Sequence, residues 1–333
     1  MRAGAYGLSL LSDPLDAQVL QALEDGALSL IDVRRTVGLP PETTLRKHLK
    51  ALTRLDLLVR SQSREFPAAV TYELSASGAE LSLIASLVES WLASAPSGPL
   101  SLGLPVTKTA IKSLVDAWST KMVRALAAKP LSLTELDRVL ASVNYPALER
   151  RLSAMRLAGQ VEAAPGRSGS TPYRVTRWLR EAVGPLVAAA HWETNHAPDG
   201  REPLCRIDVE AIFLLALPLV RLPAGSTGIC RLVVDLSNGS EKKYAGAIVS
   251  IERGRLLSCG SDLRVRTTSA AMGSSDAWLA ALSGSGSRGP SLSGDITLAG
   301  ALVSELRRVC WRAGPVESRA ALAGHVAAGS REG

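Results

Sequence analysis

A chain of 333 residues is too long for one ordinary domain, and 46% hydrophobic composition excludes a disordered chain. The most apolar run, Ala211 to Val220, is about half of a membrane span, and no basic flank precedes an apolar core at the amino terminus, so a cytoplasmic protein with no membrane partner is expected. The net charge of +7 is unevenly spread: residues 1–100 are net acidic, whereas 101–200 and 201–333 are net basic. Local basic clusters of this kind suit a shaped nucleic-acid surface better than loose attraction to any polyanion.

The four cysteines, Cys205, Cys230, Cys259 and Cys310, are far apart and form no zinc spacing, so reduced thiols are expected. His191 and His196 fall on different faces of a helix, and no metal or cofactor is assigned. No phosphate loop, G-x-S-x-G turn or paired carboxylate is present either, and an enzyme is not expected. Gly284 to Ser287 reads as a flexible loop.

The first two hundred residues contain one unit twice. A shift of 103 positions places Leu20, Leu23, Leu28, Ser29 and Leu30 on Val123, Leu126, Leu131, Ser132 and Leu133. The same shift places Leu45, Leu49, Leu52 and Leu58 on Leu148, Leu152, Met155 and Val161, and after a two-residue gap Tyr72 matches Tyr173. Each copy predicts a first helix, at Asp16–Glu24 and Asp116–Ala128. A second helix is capped by Ser29 with Asp32, or Ser132 with Glu135, and Gly38 ends the first of these. A third helix begins near Pro41 and near Pro146. Short extended pairs follow, Leu58–Arg60 with Val70–Leu74 and Val161–Ala163 with Tyr173–Thr176. Closing helices are expected at Gly78–Ala93 and Arg177–Trp192. Three helices, a two-stranded wing and a last helix spell a winged helix-turn-helix.

The third helix carries the candidate chemistry. In the first copy Leu45, Leu49 and Leu52 form an apolar back, while Thr43, Lys47, Lys50 and Arg54 face outward with Thr44 and Arg46 at the flanks. Such a front suits a major groove, with hydroxyls and ammoniums for phosphates and Arg or Lys for guanine edges. Residues 41–64 hold six basic and two acidic groups within a net acidic region, and Arg60 and Arg64 lie on the wing. In the second copy Arg150 and Ser153 face out, Arg151 and Glu149 flank them, Asn144 and Tyr145 stand at the start, and Arg167 and Arg174 lie on the wing. Double-stranded DNA is the expected partner.

The strings "LRKHLKALTRLDLLVR" with "TYELSASG", and "LTELDRVLASVNYPALERRLSAMRLAGQVEA" with "TPYRVT", resemble winged-helix repressors of the HxlR and ArsR kind. The resemblance implies a third helix in the major groove, a wing on the backbone and action as dimers. Glu149 departs from that pattern, as does Leu55-Asp56 where Ala-Gly is usual. Two units in one chain predict a monomeric pseudo-dimer, or a homodimer, reading two half-sites. A linker at 95–107 separates units at 1–94 and 108–198.

Beyond Arg201 the character changes. Apolar runs at Ile212–Val220, Ile229–Leu236 and Ala245–Ile251 read as antiparallel strands after a helix, with a hairpin at Asn238-Gly239 and a stop at Gly254. An extended piece at Leu263–Thr267, a helix at Ser275–Leu282, a loop at Ser283–Gly294 and a helix at Leu298–Arg308 complete an α+β domain at 201–312, with a frayed tail at 313–333. "GICRLVVDLSNGSEKKYAGAIVSIERGRLLSC", "SDAWLAAL" and "SGDITLAGAL" resemble the sterol-carrier-protein-like domain. That resemblance implies a helix-covered sheet around an apolar tunnel for a hydrophobic small-molecule effector, with Phe213, Leu217, Val234, Ile248 and Trp278 as candidate lining. The whole chain is therefore expected to be α+β, with two tandem winged helix-turn-helix domains followed by a ligand domain, and to act as a ligand-responsive transcription regulator. The alternative is a carrier of a hydrophobic metabolite whose winged domains dock proteins.

Overall fold

The structure is a computed structural model that describes residues 4–62, 70–102, 104–141, 144–166, 171–196, 204–237, 241–284 and 289–311. The first segment runs α1 (Ala5–Leu11), α2 (Pro14–Ala22), β1 (Leu28–Ser29), α3 (Leu30–Thr36), α4 (Glu42–Arg54), β2 (Leu58–Gln62), β3 (Val70–Leu74) and α5 (Ala76–Ala93). Its helix starts have local causes. The Asp13 carboxylate accepts the Leu15 and Asp16 amides and Pro14 opens α2, while the Ser29 hydroxyl accepts the Asp32 amide at the start of α3. Gly38 turns the chain out of α3 at φ +86°, in open space. Leu45, Leu49 and Leu52 are buried, so the apolar period of α4 is the face it packs. The strands form an antiparallel sheet in the order β1-β3-β2, with Leu28 opposite Tyr72.

The second segment repeats this order as α6 (Pro105–Val115), α7 (Ala117–Ala128), α8 (Leu133–Leu140), α9 (Tyr145–Leu157), β4 (Val161–Ala163), β5 (Tyr173–Val175), α10 (Arg177–Glu181) and α11 (Val183–His196). The bounds of α9 are those of α4 moved by 103 residues. The Leu28–Tyr72 pairing recurs as a bridge between Leu131 and Tyr173, and Ser132 with Glu135 closes a full capping box. Asp56 and Gly159, equivalent positions, are both left-handed, at φ +55° and +72°. The missing glycine of the first copy is thus replaced by a residue type that tolerates this conformation.

Three expectations change here. Helix α2 begins at Pro14 rather than Asp16, and the segment read as a linker ends in the first turn of α6. The second closing helix is two helices, α10 and α11, with Pro185 in the first turn of the latter, where its missing amide costs least.

The two segments meet through their closing helices in an isologous way. The Trp91 indole N–H donates to the Trp178 carbonyl at 2.8 Å, the Trp178 indole donates back to the Trp91 carbonyl at 2.8 Å, and the rings stack with centroids 4.6 Å apart. The Trp192 indole donates to the Ser77 carbonyl at 2.9 Å. In the repeat, Trp91 is equivalent to Trp192 and Ser77 to Trp178. Contact i-to-j is therefore matched by j-to-i, the signature of a two-fold interface, here formed within one chain. The buried Glu193 carboxylate completes this region by accepting the amides of Gly4, Tyr6 and Gly7 at the start of α1.

The third segment comprises α12 (Arg206–Ala216), a 3-10 turn at Leu217–Leu219, β6 (Gly228–Asp235), β7 (Tyr244–Glu252), β8 (Arg255–Gly260), β9 (Ser269–Ser274), α13 (Ser275–Ser283), β10 (Ser291–Gly294) and α14 (Ile296–Trp311). The sheet order is β10-β9-β6-β7-β8, and the central pair β6 and β9 is parallel, not antiparallel. The apolar run at Ile212–Val220 is the end of α12 and its turn, not a strand. Leu263–Thr267 is a turn, the strand comes just after it, and the expected loop at Ser283–Gly294 contains β10. The Asn238-Gly239 hairpin and the tail lie outside the described residues.

This segment is bolted to the second one. Glu210 of α12 is buried and accepts from Arg124 of α7, and from Arg206 at 2.6 Å. Gly184 of α11 faces the Cys310 carbonyl of α14 so closely that an added Cβ would stand 2.3 Å from it. Burial pushes the Cys230 and Cys259 thiols up and Cys310 up to about 12. The neutral thiol is the form the fold holds, so Cys310 contributes stability at neutral pH that is lost as pH rises through about 12. Iodoacetamide at pH 8 is accordingly expected to spare Cys310 in the native protein and label it rapidly in urea, read by peptide mass spectrometry; fast native labelling would contradict this burial.

Candidate nucleic-acid interface

Helix α4 is anchored from beneath and free on top. Thr43, Thr44, Arg46, Lys47, Lys50 and Arg54 are all exposed, and Arg60 extends the same chemistry onto β2. Arg46 donates to Glu42 one turn earlier, at 2.7–2.8 Å, so part of its charge is met within the helix. Lys47, Lys50 and Arg54 form no ion pair with any described residue. Arg64 and Arg167 lie outside the described residues.

The second copy differs. Asn144, Tyr145, Arg150 and Ser153 are exposed along α9 and Glu149 stands among them. Arg151 is not on this front: its guanidinium pairs with Asp116 and donates to Ser119 at 2.8 Å, fixing α9 to the start of α7. Arg174 on β5 pairs with Glu162 across the wing at 2.8 Å. The outward positive charge is therefore weaker on the second copy than on the first.

A feature missed in the sequence explains the position of each third helix. The residue equivalent to Arg151 is His48, and its Nδ1 lies 2.7 Å from the Asp16 carboxylate. Asp13, Asp16 and His48 hold their polar atoms within 4.8 Å of one another. Asp13 and Asp16 are equivalent to Asp116 and Ser119. Both copies thus clamp the third helix to the first at one place, by a carboxylate and imidazole in one copy and a guanidinium in the other. Burial raises the Asp16 carboxyl above its usual range, with the hydrogen bond from His48 opposing it. The repeat register was the signal that could have paired these residues.

The five candidate lining residues do not converge on one cavity. Phe213, Leu217, Val234, Ile248 and Trp278 are all buried. The Phe213 and Trp278 rings meet edge to face with centroids 5.1 Å apart, and the Trp278 indole donates to the Val233 carbonyl at 2.7 Å. In the register Val234 pairs with Ala245 and Ile248 with Arg231, which puts Val234 and Ile248 on opposite faces of the sheet. His191 and His196 likewise have different partners, Asn195 at 3.4 Å and Glu80 at 2.9 Å.

Residues 10–96 match the family model of the HxlR-like helix-turn-helix. A crystal structure of diamide-treated YodB from B. subtilis is similar at 25% identity over 23% of this chain and 75% of that one, with a TM-score of 0.22. No curated protein matches the chain. The match at 10–96 contains α4 with its exposed basic front, so the first segment carries an HxlR-like helix-turn-helix domain, a type that typically binds DNA in transcription regulators. Among the described residues no helix is long and apolar enough to cross a membrane.

Proposed function

We propose that this protein is a DNA-binding transcription regulator built as a pseudo-dimer, with two winged helix-turn-helix units in one chain and an effector-responsive third domain. The observation that carries the reading is the exposed Thr/Lys/Arg front of α4 on an apolar, buried back, within the HxlR-like match. Support for the second unit comes from its matching helix and wing order, with β1 reduced to a single bridge and the closing helix divided in two, and from the reciprocal tryptophan contacts, which join the closing helices of the two units as a dimer's two-fold would. The two fronts differ, so the operator is asymmetric: the α4 half supplies most phosphate contacts and the α9 half fewer. The third domain supports a sterol-carrier-like reading by its mixed sheet packed with helices, and Glu210 with Arg124 gives it a mechanical link to α7.

Fluorescence polarisation with DNA from the protein's own upstream region, against scrambled DNA at two salt concentrations, tests the proposal. Binding should fall steeply with salt and favour the specific DNA by about a thousandfold. Equal or absent affinity for both DNAs at every salt would leave the carrier reading in its place.

A further inference from the structure

We propose that the cleft between the second wing, α10 and the turn after α12 binds a small organic anion, a carboxylate on an apolar body. The cleft has a volume of about 510 Å³, within the range that small-molecule sites occupy. Its wall brings together four arginines from three places: Arg174 on β5, Arg177 and Arg180 on α10, and Arg221 beyond the turn. Val175, Pro218 and Leu219 supply apolar surface beside them.

The charges in this wall are not balanced. Arg174 is paired with Glu162 at 2.8 Å and Arg177 with Glu181 at 2.8 Å. Arg180 and Arg221 have only carbonyl partners among the described residues. Arg180 donates to the Leu214 carbonyl at 2.7 Å and the Ala127 carbonyl at 3.4 Å, and Arg221 to those of Val220 at 2.9 Å and Pro218 at 3.4 Å. A carbonyl satisfies an N–H direction but leaves the charge. A partly buried guanidinium without a carboxylate is costly, and an anion entering the cleft repays that cost with charge-assisted hydrogen bonds. Burial holds the Arg180 guanidinium below the usual arginine range, as an uncompensated cation would be held.

The apolar residues select the rest of the occupant. A bare phosphate or sulfate would use the arginines and leave the half-buried Pro218 and Leu219 wet, whereas an aromatic or aliphatic carboxylate uses both. The occupant would touch the wing strand, α10 and the third segment together, so its arrival would couple the third segment to the second wing. That regulatory consequence rests on the proposed function, but binding itself does not.

Binding is tested on the full-length protein with the fluorescent sulfonate 8-anilinonaphthalene-1-sulfonate, with neutral N-phenyl-1-naphthylamine as control. Saturable binding of the sulfonate, displaced by decanoate but not by equal inorganic phosphate, is expected. Arg221→Met, at an exposed position, should weaken it about tenfold or more, as loss of a charge-assisted hydrogen bond implies, without changing the neutral probe. Arg180→Met should act likewise if its circular dichroism matches the parent; because it can fail to fold, Arg221→Met carries the test. Unchanged sulfonate affinity in a folded Arg221→Met protein would overturn the site. Displacement by phosphate as effective as by decanoate would overturn the apolar body. If Arg221→Met weakens DNA and not the sulfonate, the cleft belongs to the duplex and the proposal falls.

Discussion

Replacing Lys47 and Lys50 together by glutamate is expected to lower DNA affinity by at least about a hundredfold while leaving the fold intact. Both ammoniums are exposed on α4 and neither is held in an ion pair by a described residue, so both are free to meet phosphates. Removing two phosphate contacts lowers the slope of log affinity against log salt by about two, and reversing the charges adds repulsion. Lys and Glu have similar helix propensity, and Leu45, Leu49 and Leu52 remain buried, so the stability change should stay within about 0.5 kcal/mol. The equivalent change at Arg150 should cost less, because Glu149 already offsets it and Arg151 is committed to Asp116. Equal losses from both helices, or none from α4, would contradict the asymmetric interface.

The second large effect concerns stability. Trp91→Ala should cost about 3–5 kcal/mol in urea denaturation, the range for a fully buried aromatic. Trp91 is 1% exposed, stacks on Trp178 and donates one of the two reciprocal indole bonds. Its loss leaves the Trp178 carbonyl without that donor and opens a cavity on the pseudo-two-fold contact. Trp91→Phe keeps much of the volume and loses the N–H, so it should fall between the two. A loss below about 1 kcal/mol for the alanine variant would mean that the two segments are not held together here.

What the sequence disclosed was what is periodic or local. The leucine spacing of α4, the caps at Ser29 and Ser132, and the repeat itself are set within a few residues or by copying, and each has its counterpart in the structure. The engagement of Arg151 was hidden because Ser119 lies 32 residues earlier, and exposure on a helical wheel says nothing of a neighbour that far away. The tryptophan exchange joins residues 87 apart for the same reason. In the third segment, Ile212–Val220 is apolar whether it forms a buried helix or a strand, and periodicity alone does not separate them. The parallel pairing of β6 with β9 rests on a strand of Ser, Ala, Met and Gly whose pattern is too weak to read. That Val234 and Ile248 stand on opposite sheet faces depended on register, which one residue of slip reverses.

The reciprocal tryptophan contact has a consequence for dilution. Two separate chains joined by such a surface come apart as their concentration falls, and their hold on a two-part target falls with it. Here the partners share a backbone, so each meets the other at an effective concentration fixed by the connecting segment and independent of how many molecules a cell contains. For the proposed pseudo-dimer, a handful of copies per cell would be as completely assembled as thousands. The duplication also frees each half to drift: a substitution in α4 alters one half alone, where in a homodimer it would alter both.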